Sequence, residues 1–522
     1  MKKQSFLQGA LLLMLAGLIN RIIGFALRIL IVQTIGDEGL GLFQRVFPFF
    51  MTLLLISTAG FPLAISKMIP EKLAKNNIRG AFSLLKISLV FILCISTTVV
   101  LVSSFSVNFI STKLYNDSRL NLVLLAILPA VIISALASCF KGFFQGMQTM
   151  MPTSLSQITE QVCRFLATIV ILRIISYPGI HYRSAGIALG ISIGEFCGFL
   201  LLIVIFLNNL SSNLNYNSKG LKKEYTSQCK YSYRSDLKEI AGLAVPITIG
   251  RIINSLMISA EAILIPRKLV SRGLSMTEAT SLYGQLSGMV EQVIFLPTVI
   301  TIALTTSLIP TISAAKARND QKKIRNNYQE TIRISCYLGF PITVIFYRLG
   351  TNICNLLFGY PQAGNLLAVM AFSSTFIYYL QVSQGMLNGL GKPHLGVINM
   401  GIGSLIKLLG IFFLTDRFPG IFGAAVSICL GVCLSALLNY IVIGNHIGYM
   451  INIKNTYLKP LISSIILYYS IGIVEKIVNP YTLHKKFETL LILIIITAIY
   501  LLLMILFRAI TKEDLKYFKH KN

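Results

Sequence analysis

Arg21 and Arg28 sit in the stretch "LINRIIGFALRILIVQTIGDEGLGLFQ" (residues 18–44), which is apolar enough to enter a bilayer. A guanidinium does not deprotonate in proteins, and at mid-bilayer it costs about 2.5–3.5 kcal/mol on insertion scales. Such a residue faces a watery cavity or a partner. Seven residues at about 100° each leave the two arginines about 20° apart around a helix and about 10 Å apart along it. Asn20, Gly24 and Gly17 share that side, so one face of the helix is polar and unobstructed. Two fixed cations along a cavity wall suit a multivalent anion such as a pyrophosphate, which the planar guanidinium fork binds through paired hydrogen bonds. The alternative is pairing with Glu160, Glu195 or another buried carboxylate. A resting pair that opens to admit substrate would satisfy both readings.

The other charges inside apolar stretches are Lys86, Arg164, Arg251, Arg333 and Lys407, against Glu160, Glu195, Glu261 and Glu291. Glu160 and Arg164 are four apart with Glu first, the favoured order for an intrahelical pair, and read as a structural or gating pair. Glu291 stands alone and is a candidate protonatable group, so Glu160, Arg164, Glu195 and Glu291 form the gating or coupling set. Lys86 and Arg333 lie within about two turns of an apolar run's end and can snorkel to the interface. Asp37 and Glu38 in "GDEG" read as a solvated turn.

No covalent or energy-coupling motif accompanies these charges. The sequence has no G-x-x-x-x-G-K-[ST], no H-E-x-x-H and no nucleophile elbow, which argues against an ATP-driven pump or a hydrolase. Its nine cysteines include no C-x-x-C and its five histidines are scattered, so neither a zinc site nor a disulfide framework is expected. No catalytic residue, metal site or cofactor is assigned.

The elements that position the charges follow from composition. The chain has 522 residues, 55% of them hydrophobic and 12% charged, with mean hydropathy +0.74. Soluble domains carry about 25% charged residues, so this is an all-α polytopic membrane protein. About fourteen stretches reach the roughly 20 apolar residues of a spanning helix, centred near residues 20, 56, 92, 131, 164, 197, 249, 297, 338, 375, 405, 433, 467 and 498. The N-terminal run has no small-residue cleavage site and reads as a retained first helix rather than a signal peptide. With the N-terminus inside, about 26 Lys and Arg fall on the cytoplasmic side and about 13 on the other, so both termini are cytoplasmic. That bias accounts for the net charge of +27 without any nucleic-acid partner.

The halves resemble each other at an offset of about 240 residues, a self-similarity that marks repeat architecture. "GFFQGMQTMMP" (142–152) answers to "GMLNGLGKP" (385–393), "SAGIALGISIG" (184–194) to "IFGAAVSICLG" (421–431), and Arg164 to Lys407. Six spans per half, an even number, make the repeats parallel, a plan found in secondary transporters. The organisation is an N-lobe at 1–208 (spans 1–6), a Ser/Asn/Tyr/Lys-rich cytoplasmic linker at 209–237, a C-lobe at 238–448 (spans 7–12), and spans 13–14 with a basic tail at 449–522.

The opening "KQSFLQGALLLMLAGLINRIIGFALRILIVQTIGDEGLGLFQ", followed by "FPLAISKMIPE", resembles the stage V sporulation protein B family. That family belongs to the polysaccharide-transporter branch of the multidrug/oligosaccharidyl-lipid/polysaccharide (MOP) flippase superfamily and is related to the lipid II flippases. The resemblance implies a MATE-like fold and a flippase for undecaprenyl-pyrophosphate-linked saccharides, peptidoglycan precursors in particular, serving the spore cortex. It implies a polyprenyl-pyrophosphate-linked saccharide, membrane lipids and peptidoglycan synthesis machinery as partners, in the cell membrane. By position, Arg21 and Arg28 inherit the headgroup role of the helix 1 arginines. Lipid II flippases also carry an Arg and a Glu in helix 8 ahead of a proline. Here "GMVEQVIFLP" supplies Glu291 and Gln292 but no arginine, and Arg251 in the seventh span is the candidate substitute. The substrate-binding set is therefore Arg21, Arg28, Asn20, Gly24 and Arg251, with the pyrophosphate expected in a cavity between lobes. Membrane potential or a monovalent cation is the expected driving force. A cation-coupled multidrug exporter of the same superfamily is the alternative, and a membrane glycosyltransferase a more distant one.

Overall fold

Gly36 decides how the first helical run meets a membrane. In the computed structural model, which describes residues 6–74, 77–175, 179–217, 233–448, 453–478 and 485–507, helix α1 (Phe6–Thr58) is kinked at Gly36, whose φ of 72° and ψ of −173° lie outside helical space. L side chains rarely adopt that conformation and glycine does so freely. The apolar run Leu12–Ala74 is 63 residues long, about three times one crossing, so the kink divides it into separate crossings. Its last part is α2 (Phe61–Ala74).

The remaining described elements are also helical, as a backbone surrounded by lipid must satisfy its own hydrogen bonds. They are α3 (Ile78–Phe109), α4 (Leu120–Gly146), α5 (Met151–Ile174), α6 (Ile180–Asn217), α7 (Tyr233–Ser271), α8 (Met276–Tyr283), α9 (Glu291–Phe295), α10 (Thr298–Ala317), α11 (Gln321–Phe358), α12 (Ala363–Gly389), α13 (Pro393–Leu414), α14 (Phe422–Ile447), α15 (Lys459–Val478) and α16 (Lys485–Leu506). Among the described residues 12 stretches are long and apolar enough to cross a membrane. The Gly36 kink and the 39-residue α7 bring the crossings to about fourteen. The centre of the expected linker, 218–232, and the basic tail from 508 onward lie outside the described residues.

The chain forms two compact units. Unit 1 comprises Met1–Ile263 with Met276–Ser281, and unit 2 comprises Leu264–Ser275 with Leu282–Asn522. The division falls inside α7 rather than in the 209–237 stretch, for a local reason. Thr52 on α1 meets the hydroxyls of Ser255 and Ser259 at 2.8 and 3.0 Å, which ties the first part of α7 to unit 1. Lys268 pairs with Asp416 at 2.8 Å and Arg272 donates to the Thr415 carbonyl at 2.6 Å, which ties its last turns to unit 2.

Each unit repeats the same packing. Gly142 faces Pro62 and Gly146 faces Ile69 in unit 1; Gly385 faces Thr305 and Gly389 faces Ile312 in unit 2. These pairs share one offset, 243 residues, which also relates Arg164 to Lys407. A Cβ added at Gly194 would lie 2.7 Å from the Arg164 Cβ, and one at Gly431 would lie 2.7 Å from the Lys407 Cβ. The two fifth-to-sixth hairpins are thus built on the same glycine contact, although the run from the basic residue to the glycine is shorter in unit 2. The cores diverge in composition. Unit 1 packs Phe140, Phe143 and Phe144 with Phe206, the Phe140 and Phe206 rings meeting edge to face at 5.4 Å. Unit 2 fills the matching region with Met386, Leu387 and Ile332.

These contacts predict a graded response in detergent-solubilised protein. Overpacking a tight helix contact costs typically about 1–3 kcal/mol, so Gly194→Leu should lower the thermal unfolding midpoint. Gly401, whose Cβ position is open, should accept Ala without loss.

Candidate functional site

The site in unit 1 is built from the closeness of α5 and α6. Pro152 stands in the first turn of α5, where a missing N–H and a fixed φ suit a helix start. From there Glu160 and Arg164 project one turn apart. On α6, Gly194 and Gly198 carry no Cβ against Glu160 and Arg164: one added at Gly198 would lie 3.1 Å from the Glu160 Cβ. That approach brings Glu195 to the pair. Arg164 Nη2 donates to Glu160 Oε1 at 2.7 Å and to Glu195 Oε1 at 3.0 Å. Lys141 of α4 completes the group, its Nζ 3.3 Å from Glu160 Oε2. Two cations and two carboxylates cancel within one hydrogen-bond length, and their side chains are only 11–21% exposed. At that burial an unpartnered charge would be costly, and each of the four side chains has an oppositely charged neighbour within reach.

The cluster borders a cavity of about 490 Å³. Its walls are Gly17, Asn20, Leu54, Leu55 and Thr58 of α1, Pro62 of α2, Ser134, Ser138 and Lys141 of α4, Gln157 and Glu160 of α5, and Glu195 of α6. Two buried polar atoms of the cavity walls, Asn20 Oδ1 and Ser134 Oγ, lack a hydrogen-bond partner, as does Arg164 Nε in the adjoining ion cluster. Buried polar groups are nearly always satisfied, so two unmet atoms on the walls of one cavity mark a place for hydrogen-bonding guests.

Helix α1 meets the cavity through Gly17 and Asn20, while Gly24 faces the Gln161 amide of α5, 3.2 Å from a would-be Cβ. Arg21 is exposed and Arg28 half-buried; neither lines the cavity, and by helical spacing both fall on the face of α1 that carries Gly17 and Gly24. Glu160 and Glu195 are engaged by Arg164 and Lys141. Arg251 is exposed on α7. Glu291 opens α9 in unit 2, half-buried, directly after a π-helical segment, Gly284–Val290. Unit 2 has no counterpart of the ion cluster among the matching positions: Gly403 stands for Glu160, Val432 for Glu195 and Gln384 for Lys141. There Asn399 donates to Asn439 at 2.8 Å and Asn439 to Ser383 at 2.9 Å, a neutral amide network.

A second buried charge group escaped the sequence reading. Arg45, whose side chain has no exposed surface, donates to Asp117 at 2.8 Å, to Thr280 at 3.0 Å and to the Tyr115 carbonyl at 2.7 Å. Arg119 donates to Asp117 from Nε at 2.9 Å and also pairs with Glu38. Burial acts to raise the Asp117 carboxyl, but hydrogen bonds from Arg119 and the charges of Arg45 and Arg119 prevail and hold it below the usual carboxylate range. Glu38 in "GDEG" is therefore part of an ion network, not a solvated turn. The available signal was Arg45 itself, embedded in "LFQRVFPFF".

The comparisons with known proteins agree with this architecture. The chain belongs to the polysaccharide biosynthesis protein family, whose model matches residues 6–316; the MatE family model matches residues 287–413. It is 29% identical over 520 residues to stage V sporulation protein B of Bacillus subtilis (strain 168), covering 99% of this chain and 98% of that protein. It is 24% identical to the lipid II flippase MurJ of the same organism, covering 91% of this chain and 88% of that one. Among solved structures, the lipid II flippase MurJ in an inward closed conformation matches with a TM-score of 0.73 at 14% identity, over 95% of this chain and 99% of that one. An inward-facing MATE family multidrug transporter of the MOP superfamily matches with a TM-score of 0.67 at 12% identity, over 82% and 94%. The fold is that of MOP superfamily membrane proteins, among which MurJ is named a lipid II flippase and the MATE protein a multidrug transporter.

Two predictions test the charge groups. Arg164→Met removes the cation shared by two carboxylates and should cost about 3–5 kcal/mol, as breaking a buried pair does; adding Glu195→Gln should recover part of the loss, read as the unfolding midpoint in detergent. Asp117→Asn should destabilise by a similar amount. Because the folded carboxyl titrates below its unfolded value, its contribution is complete above the ordinary carboxylate range and disappears as pH falls through the folded value. The wild type should therefore show an acid-side loss of stability that is diminished in Asp117→Asn.

Proposed function

We propose that the protein is a flippase that carries a polyprenyl-pyrophosphate-linked oligosaccharide, a peptidoglycan precursor, across the cell membrane by alternating access, with both termini cytoplasmic. The observation that carries this reading is the polar cavity among apolar helices, bordered by the α1 stripe that bears Arg21 and Arg28. A lipid-linked saccharide has three parts with three solvents: a polyprenyl tail at home in lipid, a multivalent diphosphate, and a hydroxyl-rich glycan. Moving it needs cations for the diphosphate and hydrogen-bonding groups for the glycan, inside a bilayer that offers neither. Arg21 and Arg28 supply the first, with the forked geometry that suits diphosphate oxygens. The cavity supplies the second.

The likeness to stage V sporulation protein B over nearly the whole chain supports a role in spore-cortex peptidoglycan, with the synthesis machinery as partner. Membrane potential acting on the anionic headgroup, or a monovalent cation exchanging at Glu160 and Glu195, would supply the drive. Glu291 is the corresponding candidate in unit 2, and Arg251 the remaining cation of the headgroup set.

Proteoliposomes loaded with a labelled polyprenyl-pyrophosphate disaccharide test the reading by leaflet-resolved accessibility. Each charge-assisted hydrogen bond is worth about 1.5–3 kcal/mol, so Arg21→Ala with Arg28→Ala should slow flipping by at least tenfold, with Lys at both positions in between. Wild-type rates in the double alanine variant would overturn the headgroup assignment. Efflux of ethidium-like cations with no lipid flipping would establish the drug-exporter alternative instead.

A further inference from the structure

We infer that the unit 1 cavity receives the neutral saccharide of the substrate, while the diphosphate stays at the α1 stripe outside it. This inference rests on the flippase reading and assigns the cavity to one part of that substrate. Three observations lead to it.

The first is charge balance. Lys141 and Arg164 lie 2.7–3.3 Å from Glu160 and Glu195, so the cavity has no surplus positive charge to offer. A diphosphate entering it would stand beside two carboxylates in a low-dielectric site, where like charges repel strongly. A glycosyl group carries no charge and leaves the pairs intact.

The second is hydrogen-bond polarity. The unmet atoms on the cavity wall are an acceptor, Asn20 Oδ1, and a hydroxyl of either sense, Ser134 Oγ. A diphosphate offers essentially only acceptors, so Asn20 Oδ1 would remain unmet. A sugar hydroxyl donates and accepts, and an acetamido N–H donates; such groups satisfy both atoms. The third is shape and composition. At about 490 Å³ the cavity is within the range of small-ligand sites, and Leu54, Leu55 and Pro62 provide an apolar wall for the C–H face of a ring. The repeat offers no second copy, because Gly403, Val432 and Gln384 replace the charged positions in unit 2.

The test uses the full chain in detergent, with N,N′-diacetylchitobiose and inorganic pyrophosphate as separate probes in isothermal titration. Saturable chitobiose binding is expected, with Kd raised at least tenfold by Asn20→Ala with Ser134→Ala and pyrophosphate binding changed less than twofold. Should that variant fail to fold, Leu55→Trp gives a reporter on the cavity wall in a chain that has no tryptophan. Its fluorescence should change saturably with chitobiose and not with pyrophosphate. A wall reporter that answers to pyrophosphate alone, or chitobiose binding indifferent to Asn20 and Ser134, overturns the inference. The flipping assay separates the two levels. Flipping of the lipid-linked disaccharide without any cavity dependence sinks the saccharide assignment and leaves the flippase reading standing. Chitobiose binding in the cavity without flipping sinks the flippase reading and leaves the saccharide site.

Discussion

A charge buried among apolar helices must bring its counter-charge with it, and Arg164 brings two. Its guanidinium bridges Glu160 on its own helix and Glu195 on the next, so one residue neutralises the site and fastens α5 to α6. The bridge exists only because Gly194 and Gly198 let the helices approach until side chains one shell apart can share a hydrogen bond. Small residues at such contacts are the usual means of helix association where lipid removes the hydrophobic drive. Here the same contact also holds polar groups in place around the cavity.

The repeat shows what was kept and what was changed. Glycines against the preceding helices recur in both units, and Arg164 and Lys407 stand beside matching glycines. Backbone approach is a property of the fold and cannot vary without displacing helices. The side chains around it are free to diverge: unit 1 has an ionic cluster and unit 2 an Asn399–Asn439–Ser383 chain of neutral hydrogen bonds. Chemistry in the described structure is thus carried unequally by two similar frames.

Arg45 and Asp117 obey the same rule with the opposite purpose. Arg45 has no exposed side-chain surface and its partners come from a loop and from α8. Such a group does not face a cavity. It fixes the ends of helices, as expected of a charge whose removal would strand its partner.

Much of this was readable in advance. Hydropathy alone gives the all-helical membrane fold and nearly every crossing, because the bilayer imposes one length and one solution for the backbone. The repeat was legible from glycine and proline spacing, and the Glu160–Arg164 pair from its four-residue interval. The partners Glu195 and Lys141 were not, nor were Arg45 and Asp117, 72 residues apart. Charge pairing between helices depends on how far the helices rotate and how closely they approach, and neither is encoded in local periodicity. Arg21 and Arg28 show the division most plainly. Their spacing determined that they share one stripe of α1 with Gly17 and Gly24. Only the tertiary structure decided that this stripe borders a cavity whose own charges are already matched, because the packing of α4, α5 and α6 places the counter-ions there first.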